Sequence, residues 1–123
     1  MDASATPRSS ASGLVSLEEE MRGLLEPWMP HDLAVANDTV IRLARIDGDF
    51  PWHAHDEDET FLCWAGTFRI ELEGASPIEM TRGSLFVVPR GTRHRPIAEH
   101  GPAYAILIEK PETRQYGNEE AGR

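Results

Sequence analysis

Residues 53–59, with the sequence HAHDEDE, place two histidines and four acids within seven positions. In an extended segment side chains alternate between two faces, so His53 and His55 would point the same way while Ala54 points away. A bend at residues 56–58 would bring Glu59 back beside the two imidazoles. Two imidazoles and a carboxylate are a ligand set for a divalent metal ion. The same residues also fit a solvated, charged loop, and Glu57 could take the place of Glu59.

A fourth candidate ligand, His94, follows a segment with turn residues on both sides of a short apolar run. Gly83 and Gly91 allow sharp corners before and after that run. Pro89 ends the hydrogen-bond ladder of the run because it lacks an amide hydrogen. This arrangement could return His94 to the same place as the first two histidines.

The elements that must position these residues are short strands separated by turns. Residues 67–73 alternate apolar and polar side chains, which is typical of a strand with one wet face. Similar extended runs are predicted over residues 39–46, 50–55, 59–64, 78–81, 84–88, 94–98 and 103–109. About eight short strands at hairpin spacing indicate an all-β sandwich or barrel. Before them, Ser16 and Glu19 form a capping box, which predicts a short helix over 17–26 that stops before Pro27.

Composition excludes several classes of partner. The 123 residues carry a formal net charge of −9, which disfavours nucleic acid and anionic membranes as partners. No apolar run approaches the length of a membrane span. The first residues lack the apolar stretch of a secretory signal, and the single cysteine, Cys63, excludes an internal disulfide. We therefore expect a cytoplasmic protein, with Cys63 as a small buried side chain rather than a nucleophile.

The spacing of these residues resembles two motifs of the cupin superfamily. The first motif is matched by Gly48, His53, His55, Glu59 and Gly66, with four residues instead of the usual five between Gly48 and His53. The second motif is matched by Gly83, Pro89, Gly91 and His94, while Ala98 stands where the family has asparagine. The chain is most similar to small single-domain cupins of the type related to mannose-6-phosphate isomerase.

The resemblance implies an all-β fold, a cupin-type jelly-roll β-barrel with a short N-terminal helix. It covers residues 38–109 as the barrel. Composition and the capping box divide the rest into a disordered tail (1–15), the helix and a lead-in (16–37) and a polar C-terminal tail (110–123). It implies that His53, His55, Glu59 and His94 hold one divalent metal ion, which could be Zn, Fe, Mn, Ni or Cu.

The resemblance leaves two functions open. One is a metal-dependent enzyme of dioxygenase or isomerase type that acts on a small polar molecule at the barrel mouth. The alternative is a non-catalytic module that binds a sugar or another metabolite. Arg90, Arg93 and Arg95 are candidates for holding an anionic group of that molecule, although they also fit ordinary surface charge. A homodimer through one sheet is expected, as in many cupins.

Overall fold

Seven strands and one short helix make up the structure, which is a computed structural model that describes residues 13–118. The helix α1 spans Leu17–Gly23, and the strands are β1 (His31–Ala36), β2 (Thr39–Asp49), β3 (Glu59–Ala65), β4 (Phe68–Leu72), β5 (Ile78–Met80), β6 (Leu85–Val88) and β7 (His94–Glu109). All strand pairs are antiparallel, in the order β1-β2-β7-β3-β6, and β4 pairs with both β5 and β7. The predicted all-β fold with one N-terminal helix is confirmed. Among residues 13–118, no helix is long and apolar enough to cross a bilayer.

The long strand β7 joins the two sides of the barrel. Its first part pairs with β4, from Leu72↔His94 to Arg69↔Ile97, its second part pairs with β3, and β2 pairs with both parts. The prediction of two separate strands, 94–98 and 103–109, is wrong, because the chain stays extended through the exposed residues 99–102. The partner strand β2 accommodates this stretch with an irregularity between Ile46 and Gly48, where a turn was expected. Gly48 has a φ of +79°, so it bends β2 without ending the strand.

The barrel interior is filled by alternate side chains of the strands. Phe61 and Cys63 on β3 and Phe68 and Ile70 on β4 are all buried in one apolar cluster with Met80. The sulfhydryl of Cys63 lies 3.3 Å from the carbonyl oxygen of Gly66, and burial raises the pKa of this thiol. Cys63 is therefore a small core side chain, as expected.

A second apolar cluster covers the outer face of the sheet. Leu24 and Leu33 from the N-terminal segment pack against Leu43 and Ile106, with Trp64 at the edge. Helix α1 begins as predicted, because the Ser16 Oγ accepts a hydrogen bond from the Glu19 amide at 3.3 Å, but it ends at Gly23, before the predicted residue 26. The sequence reading also missed strand β1, which lies within the predicted lead-in.

Candidate metal centre

Four buried side chains meet at one end of the barrel interior. His53, His55, Glu59 and His94 are between 0 and 6% exposed, and their ligand atoms all lie within 4.8 Å of one another. The Nε2 atoms of His55 and His94 are each 3.2 Å from the Glu59 Oε1. The structure therefore brings together all four residues predicted from the sequence, and these residues could hold a metal ion. Glu57, the alternative to Glu59, lies outside this cluster.

Glu59 and His94 are held by regular strands. Glu59 opens β3 and pairs with Val88 of β6, so its side chain takes the inward parity of Phe61 and Cys63. His94 opens β7 opposite Leu72 and is fully buried. Pairing with β6 fixes the backbone position of Glu59, and pairing with β4 fixes that of His94.

His53 and His55 lie in an irregular segment, so the predicted strand over 50–55 is wrong. Only His53 forms a bridge, in which His53 and His94 exchange hydrogen bonds of 3.0 and 2.8 Å. Pro51 cannot donate to a ladder, which helps to keep this segment from continuing as a strand. The carbonyl oxygen of His55 accepts a 2.8 Å hydrogen bond from the Gly91 amide, which links the segment to the second motif.

The C-terminal segment 113–118 supports the same irregular segment from its other side. The amide of Asn118 donates to the Ala54 carbonyl oxygen at 2.7 Å, and the Asn118 Oδ1 accepts from the Asp56 amide at 3.0 Å. Gly117 packs so closely that a Cβ there would stand 2.5 Å from the Ala54 oxygen. Gly117 and Asn118, within the predicted C-terminal tail, are thus packed against the ligand segment. Residues 1–12 and 119–123 lie outside the described part of the chain.

The protonation of the histidines suits a metal ion. The Nδ1 atoms of His53 and His94 lie 2.9 and 2.8 Å from the carbonyl oxygens of Pro51 and Thr92. Because a carbonyl oxygen only accepts, each Nδ1 must carry the hydrogen, which leaves Nε2 as the lone-pair donor. Both ring nitrogens of His55 are buried with no hydrogen bond in the described residues. Buried polar atoms are rarely left unsatisfied, and a metal ion would satisfy the His55 nitrogen nearest Glu59.

The site also favours the charge states that metal ligands need. Burial, together with the neighbouring His94, lowers the pKa of His53 to about 4, so its imidazole is neutral at pH 7. Burial opposes ionisation of Glu59, but the imidazoles of His55 and His94 outweigh it, and the pKa of Glu59 lies below its ordinary value. Neutral imidazoles and an ionised carboxylate are the states that bind a divalent cation.

A cavity of about 50 Å³ adjoins the cluster on the side of His53 and Glu59. Two residues of ionisable type that the sequence did not single out lie in its wall, the partly buried Arg42 on β2 and the buried Glu109 at the end of β7. Their side chains meet at 2.6 Å. Burial and the nearby Glu59 raise the pKa of Glu109, against the opposing effect of Arg42. Strand alternation could have revealed Glu109, since it stands two residues after Leu107 and four after Ala105 and therefore points inward with them.

The three candidate substrate-binding arginines lie elsewhere. Arg93, just before β7, and Arg95, on β7, are the chain neighbours of His94. Their guanidinium carbons stand 6.0 and 5.0 Å from the ring centre of Trp52. Arg95 also forms a 3.0 Å ion pair with Glu71. Arg90 is exposed, and its amide donates to the Asp58 Oδ1 at 2.8 Å. Their role in substrate binding stays a prediction.

The fold and the cluster define a class of protein, a small β-barrel with a potential three-histidine, one-carboxylate metal centre at one end of its interior. Residues 40–109 match the family described as "Cupin domain". The chain belongs to the cupin family, which confirms the resemblance drawn from the two motifs.

Individual relatives and solved structures show how far the likeness extends. The chain is 26% identical to the uncharacterized protein YdbB of Bacillus subtilis (strain 168) over 112 residues, which are 83% of this chain and 96% of that protein. A cupin-2 domain protein from Shewanella frigidimarina aligns with a TM-score of 0.76 at 28% identity, over 81% of this chain and 97% of that one. Hydroquinone 1,2-dioxygenase PnpCD, solved in complex with Fe³⁺, aligns with a TM-score of 0.71 at 17% identity, over 78% of this chain and 32% of that one. The last likeness shows the fold alone.

Proposed function

We propose that this protein binds one divalent metal ion through His53, His55, Glu59 and His94 and uses it to hold a small molecule at the barrel mouth. The observation that carries the proposal is the convergence of four buried donor groups within 4.8 Å. An ion beside Glu59 would also bind the buried Nε2 of His55, which stands 3.2 Å from the Glu59 Oε1 without forming a hydrogen bond. The donor set suits Zn, Fe, Mn, Ni and Cu alike.

Elemental analysis of the purified protein, kept away from chelators, tests this proposal. We expect about one ion per chain, and His53→Ala and His94→Ala should each remove most of it. The matched controls are His31→Ala and His100→Ala, which replace exposed histidines and should keep the ion. Equal loss in all four variants, or full occupancy in the first two, would defeat the assignment.

We further propose that the centre serves an enzyme of dioxygenase or isomerase type. The support is that His53 and Glu59 face a cavity, so a molecule in it could reach the metal, whereas a purely structural site is normally closed and tetrahedral. The bound ion would supply Lewis acidity or oxygen activation. The residues of the chain orient the molecule and exclude water, since the cavity wall is largely apolar. The alternative remains a module that binds a metabolite without converting it.

Turnover separates the enzyme from the binding module. Metal-loaded protein would be incubated with small chelating compounds, with and without oxygen, while binding and product are both followed. Product that disappears in the Glu59→Ala variant supports the enzyme, and a requirement for oxygen separates the dioxygenase from the isomerase. Tight binding without product across the compounds supports the module.

We also propose self-association as a homodimer through the outer face of the sheet. Leu62 and Trp64 on β3 point to this face and are only partly buried by the N-terminal segment. A second copy could cover the part that the segment leaves open. Light scattering that gives only the monomer mass of 13.7 kDa would contradict the dimer. The cytoplasmic location also stays a prediction.

A further inference from the structure

The walls of the cavity beside the metal centre restrict the kind of molecule that can enter it. We infer that the cavity selects a short-chain monocarboxylate with an oxygen on the adjacent carbon, a 2-hydroxy or 2-oxo acid, and rejects sugars. This inference rests on the proposed metal site and names its ligand class.

The wall is mostly apolar. Its apolar members are Trp28, Pro30, Ala44, Ile46, Phe50, Phe61, Pro96 and Leu107. A hydroxyl group placed against these side chains would lose its hydrogen bonds to water without a replacement. A sugar carries a hydroxyl on nearly every carbon, whereas a short-chain acid presents only a hydrocarbon tail to the wall.

The polar groups of the wall are already largely occupied. The three guanidinium nitrogens of Arg42 bind Asp32 at 2.8 Å, Glu109 at 2.6 Å and the carbonyl oxygen of Pro111 at 3.2 Å. The side-chain amide of Gln115 donates to the Trp28 carbonyl oxygen. In the cavity wall formed by the described residues, the Glu109 Oε1 is the one buried oxygen without a hydrogen bond. The wall can therefore satisfy about one further polar group of a ligand.

The net charge of the metal site and the size of the cavity restrict the class of ligand further. A divalent ion bound to the Glu59 carboxylate and three neutral imidazoles leaves one net positive charge, while the charge of Arg42 is already taken up by its contacts with Asp32 and Glu109. One carboxylate on the ligand would balance that charge, and an adjacent oxygen would let it bind the ion at two points. The cavity of about 50 Å³ is smaller than the roughly 150 Å³ cavity that accepts benzene. The tail can thus be only a few carbons long.

Calorimetric titration of the metal-loaded protein tests the inference with acids that share one head group. We expect 2-hydroxybutanoate to bind at least tenfold more tightly than 2-hydroxysuccinate, whose tail carries a second carboxylate, and glucose to give no binding. Glucose binding as tightly as 2-hydroxybutanoate, or equal affinity for the two acids, would overturn the inference.

Two variants of the wall sharpen the test. Ala44→Val narrows the cavity and should weaken the binding of 2-hydroxybutanoate at least fivefold. The affinity for 2-hydroxyacetate, which has no tail, should not change. Ile46→Val widens the cavity and should shift the preference toward 2-hydroxypentanoate. A variant that lowers the affinity for all the acids equally would show that the cavity wall does not discriminate between tails of different length.

The metal content of each sample distinguishes the two ways of failing. Protein that holds its ion but binds none of the acids would overturn the ligand class and leave the proposed metal site standing. Protein that never holds an ion would overturn the proposed metal site itself.

Discussion

The two pairs of candidate ligands are held in different ways. Glu59 and His94 begin regular strands, where ladder hydrogen bonds fix their backbone positions. His53 and His55 lie in an irregular segment that depends on single contacts with His94, Gly91 and the C-terminal segment. Regular pairing alone can place half of the site. The other half requires contacts from distant parts of the chain, and these contacts should be the easier ones to break.

The largest effect that we expect is a loss of stability of the metal-free protein as the pH falls, caused by protonation of His53. Its folded pKa of about 4 lies below the ordinary 6.5, so between these values the unfolded chain binds the proton more readily. The stability that depends on neutral His53 is complete above pH 6.5 and is lost as the pH falls toward 4. At about 1.36 kcal/mol per pKa unit, the loss between pH 7 and pH 5 should be about 2 kcal/mol. Urea unfolding with a chelator present measures it.

Matched variants separate the pH-dependent stability due to His53 from that due to other titrating groups. Glu109, whose pKa is raised, changes the stability of the protein in the opposite direction. Its contribution to stability is complete below its ordinary pKa and is lost as the pH rises toward the raised pKa. His53→Gln removes only the imidazole, so the pH dependence of the variant should be weaker than that of the wild type by the same amount. His31→Gln, at an exposed position, should keep the wild-type dependence. Parallel pH curves for the wild type and His53→Gln would show that His53 titrates normally.

A somewhat smaller effect should follow from removing the support of the irregular pair. A chain that ends at Arg114 loses both hydrogen bonds made by Asn118. At about 0.5–1.5 kcal/mol for each hydrogen bond, metal affinity should fall roughly tenfold. Competition with a chelating dye measures the affinity. A chain that ends at Asn118 is the control and should bind metal as the full chain does; equal affinity in both shortened chains would mean that the segment does not support the site.

The smallest effect should come from one methyl group at Gly117. A Cβ at this position, where φ is +86°, would contact the Ala54 oxygen and the His53 Cβ. We expect Gly117→Ala to weaken metal binding about fivefold, near 1 kcal/mol. Gly74→Ala is the matched control, because Gly74 has a φ of +79° and open space around it. If both variants lose the same affinity, backbone strain rather than contact with the ligand segment is responsible.

The sequence predicted the parts of the site that depend on local spacing. Motif spacing was enough to group His53, His55, Glu59 and His94, although the strand alternation expected for the first two is absent from their irregular segment. The support from Asn118 could not be predicted, because it joins residues 62 positions apart through an irregular segment with no periodic signal. The ion pair between Arg42 and Glu109 joins residues 67 positions apart, and its partners become visible only once β2 and β7 are paired in register.

The same lack of information about distant contacts explains the wrongly predicted strand boundaries. Turns were predicted between strands 39–46 and 50–55 and between 94–98 and 103–109, where Gly48 and Gly101 stand, because glycine is typical of turns; both residues lie inside long strands. An irregularity in one strand can be compensated only by the strand beside it, and the sequence does not show which strands are neighbours. The individual strands 59–64, 67–73 and 84–88 were predicted within two residues of their observed bounds, since their side-chain pattern is local.

X-ray absorption at the metal edge tests the central claim most directly. It would be recorded on the wild-type protein loaded with the ion that it carries after purification. We expect a first shell that contains three imidazole nitrogens and one carboxylate oxygen, contributed by His53, His55, His94 and Glu59. A shell with fewer than three imidazoles would contradict it, because the irregular pair and the strand-borne pair would then not form a single metal centre.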